Sequence, residues 1–107
     1  MDIQKITGLL ENIVGSKRVT DKDFDIIAYS RDLSPAKQKM ATHIVMPETK
    51  EEVQEILEIA NKHDVPIYLR GGGTSHWDAF LPQDPGIMLD LALMNEILEI
   101  NERDLTV

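Results

Sequence analysis

Between His43 and Gly73 the chain carries a short β-prone run, a capped amphipathic stretch, a second β-prone run and then three successive glycines. His43-Ile44-Val45-Met46 is stopped by Pro47, and Thr49 with Glu52 has the spacing of a capping box, which predicts a helix from Lys50 to about His63. Val53, Ile56, Leu57 and Ala60 share one face of that helix, while Glu51, Glu55, Glu58 and Lys62 point away. The apolar face needs a sheet to cover. Pro66-Ile67-Tyr68-Leu69 supplies a second strand, and two strands joined through a packed helix are expected to run parallel, with a right-handed crossover. A third apolar run, Ile87 to Leu91, follows Pro85-Gly86 and is expected in the same sheet. The predicted class is therefore α/β: a small, mainly parallel sheet with helices.

The flanks are simpler. Ile3, Ile6, Leu10 and Ile13 recur at steps of three and four, and Gly15 stands where a left-handed cap would close the helix. Thr20 and Asp23 suggest the start of a shorter helix running through Phe24 and Ile27 toward Tyr29. Ser30 to Ala41, with Pro35, reads as a connection, which divides the chain into an N-terminal helical segment, 1–41, and a βαβ-containing part, 42–107. At the far end Leu105-Thr106-Val107 is β-prone and reads as a strand beginning.

A chain of 107 residues suffices for one core without disulfides, and it has no cysteine for disulfides, iron–sulfur ligation or thiol catalysis. A formal charge of -8 without a basic run argues against nucleic acid as a partner. No apolar run is long enough for a membrane span, and the first residues lack a signal segment, so a cytoplasmic protein is expected.

The glycine run Gly71-Gly72-Gly73 directly follows the second strand, with Arg70 before it and Thr74 and Ser75 after it. Three glycines are costly in a regular element, because each loses more conformational freedom on folding than other residues. They allow the backbone to bend through positive φ and turn consecutive N–H groups into one concavity, a nest for phosphate oxygens to which the two hydroxyls add donors. The plainer alternative is a tight turn with a solvated Arg70. In the nest, Arg70 would either neutralise charge or anchor the loop by an ion pair. A nucleoside-triphosphatase loop is excluded by the lack of Lys followed by Ser or Thr. The G-x-G-x-x-G dinucleotide pattern fails because His76 takes the third glycine's place. Proline-rich sequence then continues to Gly86, a long irregular loop of the kind that is usually functional or disordered.

The succession Pro47, Glu51-Glu52-Val53, Val65 to Ser75, Pro82, Gly86 to Leu91, Met94-Asn95 and Ile97 resembles the FAD-binding domain of the vanillyl-alcohol oxidase/PCMH flavoproteins, nearest to their glycolate oxidase and D-lactate dehydrogenase group. Tyr29 and Asp32 also fit that family's approach to its first strand. The resemblance implies FAD as cofactor, with its pyrophosphate wrapped by Gly71, Gly72, Gly73, Thr74 and Ser75, and with Arg70 and His76 alongside. It implies a flavin-dependent oxidoreductase that oxidises a small 2-hydroxy acid of the glycolate or D-lactate type by hydride transfer. Family members commonly have another glycine soon after the Ser, where this chain has His76-Trp77-Asp78-Ala79, so Asp78 brings a side chain and a negative charge near that site. Thr74 occupies the place where some relatives attach the flavin through His, which argues against attachment there; His76 lies close by.

Family members run to several hundred residues, and this chain resembles the first subdomain only. The resemblance therefore implies partners in the remainder of the same enzyme or in its other subunits, and predicts that the 107-residue chain is inactive alone and isolated without flavin. Two readings of a different class are a non-catalytic anion- or nucleotide-binding module and an assembly piece that dimerises through an unfinished sheet edge. No catalytic residue and no metal ligand is assigned: His43, His63 and His76 lack carboxylates at ligand spacing. His63 suits the C-terminal end of its helix, whereas His76 either contacts flavin or sits in solvent.

Overall fold

In the computed structural model, residues 2–30, 40–73, 82 and 84–107 are described. Helix α1, Ile3–Val14, is capped by Asp2, whose carboxylate accepts the Lys5 N–H, and ends at Gly15 with φ 88° and ψ 154°. That conformation belongs almost exclusively to glycine. A single 3-10 turn, Ser16–Arg18, leads into strand β1, Val19–Thr20, and helix α2 spans Asp23–Ile27. Thr20 does not cap α2, as its sequence position suggests. Lys22 holds the N-cap place without a side-chain bond; the Thr20 hydroxyl donates to Asp25 Oδ2 at 2.7 Å and accepts the Lys22 N–H at 3.3 Å, just ahead of the helix.

Strand β2, His43–Val45, is followed by α3, Lys50–Lys62, then β3, Ile67–Arg70, and β4, Ile87–Asp90. Thr49 caps α3 by accepting the Glu52 N–H at 3.1 Å. Glu52 reaches back one residue further than a standard capping box, to the Glu48 N–H at 2.8 Å. The helix closes at His63. The Val65 N–H then returns to the Ala60 carbonyl at 2.8 Å, and Asp64 takes the left-handed position with φ 55° that glycine more often fills.

The sheet order is β1-β2-β4-β3. Strands β2 and β3 lie parallel as expected, yet they are not neighbours. β4 slots between them, parallel to both, and β1 adds an antiparallel edge on β2. Gly86 makes the insertion possible: a Cβ there would collide with the Pro66 carbonyl oxygen, which the Ile87 N–H uses at 2.9 Å. On the other side the Gly86 carbonyl takes the Thr42 N–H at 2.7 Å. This one residue is clamped by both flanking chains.

Strand alternation sorts the core into two layers. Val19, Val45, Ile87 and Leu89 face α1 and α3, packing with Ile6, Leu10, Ile56 and Ala60. Ile44 and Met88 face the other way, toward Ile26 of α2, with Tyr29 and Tyr68 against them. The 1–41 segment thus also contributes a strand to the sheet and a helix to the larger core layer. Leu105-Thr106-Val107 does not begin a strand; Leu105 turns through φ 57°, and Thr106 makes an isolated bridge back to Asn101. Most of the connection around Pro35, and most of the loop after Gly73, lie outside the described residues. Among the described residues no helix is long and apolar enough to cross a membrane.

Candidate functional site

Because β2, β4 and β3 run parallel, their carboxyl ends gather on one edge of the sheet, where ligands of open α/β sheets bind. Two features there could meet an anion. The first is the α3 N-terminus, but Glu51 and Glu52 already stand in its first turn and Thr49 already takes the Glu52 amide. A cleft of about 650 Å³ beside it is lined by three glutamates, Glu48, Glu51 and Glu96, against one lysine, Lys50. Such an acidic rim repels phosphate.

The second is the bend after β3. The Arg70 carbonyl is held by the Leu91 N–H at 2.9 Å, so the strand stays anchored up to its last residue and then turns abruptly. Gly71 and Gly72 are exposed, and a Cβ on Gly71 would find no atom within 4 Å. Gly73 has φ 69°, the left-handed region where a side chain is strained. Among the described residues nothing accepts a hydrogen bond from the amides of Gly71, Gly72 or Gly73. An open bend whose amides no described residue uses could receive an anion. Thr74, Ser75 and His76, expected as further ligands, lie outside the described residues, as do Trp77 and Asp78.

Arg70 is the described site residue with the most side-chain structure around it. Its guanidinium lies over the Tyr29 ring, with Cζ 4.5 Å from the ring centroid. The Tyr29 hydroxyl donates to Asp90 Oδ2 at 2.5 Å, and Asp90 Oδ1 accepts the Ala92 N–H at 3.0 Å. Burial, with the Asp90 bond and charge second, pushes the Tyr29 phenol up to about 12, so it remains a donor throughout the ordinary pH range. The arrangement escaped the sequence, since Tyr29 and Asp90 stand 61 residues apart.

Among the described residues no group of His, Asp and Glu could hold a metal. His43 is buried beneath α1, with Nδ1 2.9 Å from Thr42 Oγ1 and Nε2 2.8 Å from Thr7 Oγ1. His63 ends α3.

A family model described as "FAD binding domain" matches residues 41–107. The chain belongs to this FAD-binding family. Over 97 residues it is 35% identical to the glycolate oxidase subunit GlcD of Bacillus subtilis (strain 168), covering 91% of this chain and 21% of that protein. It is 39% identical over 54 residues to a D-lactate dehydrogenase of Archaeoglobus fulgidus, covering 50% of this chain and 12% of that one. To the D-2-hydroxyglutarate dehydrogenase of Stutzerimonas stutzeri (strain A1501) it is 34% identical over 90 residues, 84% of this chain and 19% of that one. In fold it is similar to a 4-ethylphenol oxidase from Gulosibacter chungangensis, with a TM-score of 0.81 and 25% identity, and to p-cresol methylhydroxylase, with a TM-score of 0.80 and 24% identity. Each covers 92% of this chain and 20% of the solved one. The chain thus spans about a fifth of the length of most of these relatives and has the PCMH-type fold, with FAD as its family's cofactor.

Proposed function

We propose that this chain is the diphosphate-holding part of a flavin-dependent oxidoreductase acting on a small 2-hydroxy acid. The observation that carries the reading is the glycine bend at the carboxyl end of β3, whose amides no described residue uses. Gly71, Gly72 and Gly73 would hold the FAD diphosphate by main-chain N–H groups, Thr74, Ser75 and His76 would continue the cradle, and Arg70 would set its base. Bound FAD supplies two-electron acceptance, by which a 2-hydroxy acid becomes the 2-oxo acid through hydride transfer. The chain's own part would be to bind and orient the cofactor. The substrate class rests on the relatives, whose names speak of glycolate, D-lactate and D-2-hydroxyglutarate. The partners are the remainder of such an enzyme or its other subunits, as the GlcD relative is itself named a subunit.

Nuclear magnetic resonance of the chain titrated with FAD, ADP and riboflavin tests the reading. FAD and ADP share the diphosphate and are expected to shift the Gly71 to Gly73 amides, whereas riboflavin lacks it and leaves them in place. Unmoved glycine amides under saturating ADP and FAD would sink the proposal. With FAD, an artificial electron acceptor and glycolate or D-lactate present, the 107-residue chain is expected to show no turnover.

A further inference from the structure

Arg70 and Asp90 are register partners at the ends of β3 and β4, on the sheet face that Tyr29 covers. Asp90 is 93% shielded from solvent, and a carboxylate so placed must have its oxygens occupied. One takes the Tyr29 hydroxyl and the other the Ala92 N–H, so the carboxylate fixes the phenol ring in position and orientation. The Arg70 guanidinium stacks on that ring within cation–π range. It also meets the bend itself. A Cβ on Gly73 would stand 2.6 Å from Arg70 Nη2, 2.8 Å from Nε and 2.9 Å from Cζ, so the guanidinium occupies the space that a side chain at position 73 would need.

We infer that Arg70 is a positioning residue: layered between the Tyr29 ring and the Gly73 backbone, it shapes the glycine bend from beneath, and Asp90 secures it by locking the ring. Gly73 is then glycine because of its positive φ, and the movable Arg70 head packs against it there. What this layer uses is the plane of the guanidinium. A lysine keeps the charge but neither stacks flat on a ring nor fills the layer under Gly73. The consequence for cofactor affinity rests on the proposed FAD reading; the bracing of the loop does not.

The test is amide spectra of the whole chain, first ligand-free and then titrated with ADP, for the wild type, Arg70→Lys, Tyr29→Leu and Tyr29→Phe. Arg70→Lys and Tyr29→Leu are expected to move the Gly71 to Gly73 amides in the ligand-free chain and to weaken ADP binding about tenfold. Combining them should cost little more than either alone, since both remove one stack. Tyr29→Phe keeps the ring and its volume but loses the Asp90 bond; it should shift the same amides and weaken ADP about threefold, which secures the test should Tyr29→Leu not fold. Wild-type glycine amides and wild-type ADP affinity in Arg70→Lys would overturn the inference, because charge alone would then suffice. Glycine amides that move in the ligand-free variants, with no ADP binding by the wild type, would uphold the brace and sink only the FAD reading.

Discussion

His43 shows how a single side chain reports on its surroundings. It sits in β2 with the strand's other residues buried around it and both ring nitrogens engaged by threonine hydroxyls. Burial lowers its pKa from 6.5, against smaller opposing effects from the Ile3 carbonyl and Asp21. The folded chain therefore resists a proton that the unfolded chain accepts. Its contribution to stability is complete above pH 6.5 and drains away as the pH falls below 6.5 toward the folded-state value. Urea midpoints measured at successive pH values below 6.5 should fall, and His43→Gln, which cannot titrate, should flatten that part of the curve. An equal slope in wild type and variant would show that His43 carries no such linkage.

Among elements, α3 was the most legible in the sequence, because its cap, its periodic apolar face and its end all lie within one continuous stretch. Even so, Leu57 belongs to the expected inner face and is 46% exposed: it borders an open apolar groove shared with Val53, Ile67, Leu69 and Leu91. The sheet order was less legible. Register and proximity between β2, β4 and β3 depend on how Gly86 meets Pro66 and Thr42, contacts no local pattern announces. A bend after β3 was readable from the succession Gly71-Gly72-Gly73, whereas the Tyr29–Asp90 bond beside Arg70, between residues 61 apart, was not. Glu52 illustrates the same division. The sequence presents it as a capping residue, yet it also binds Arg18 through two bonds of 3.0 Å, tying the turn before β1 to the start of α3. The Arg18 bond holds the Glu52 carboxyl below its usual range. Its stabilising effect is thus present above pH 4.5 and lost as the pH falls through the lowered value. Glu52→Gln keeps an acceptor but loses the charge-assisted pair. As both side chains remain partly in solvent, unfolding free energy at neutral pH should drop by about 1–2 kcal/mol in urea titration. A loss below about 0.3 kcal/mol would mean the pair is merely a surface contact.

At the scale of the molecule, the two core layers end well before the chain does. None of residues 97–107 enters either layer, and Leu98 and Leu105 are 89% and 90% exposed. The bonds of the final turn stay within it: Asn101 and Thr106 exchange both main-chain bonds, and the Asn101 side chain serves Arg103 and Asp104. This local closure explains why Leu105-Thr106-Val107 is no strand, since three β-prone residues pair only where a neighbouring edge receives them. It also separates two properties that usually change together. Deleting residues 99–107 should leave the folded core intact, with a cost under about 0.5 kcal/mol and a thermal midpoint within about 3 °C of the whole chain. The same deletion removes exposed Ile100, Leu105 and Val107, so binding of a hydrophobic dye should fall. A midpoint lowered by about 10 °C or more would show that the final turn is part of the folding unit, and would move the boundary of the core to the end of the chain.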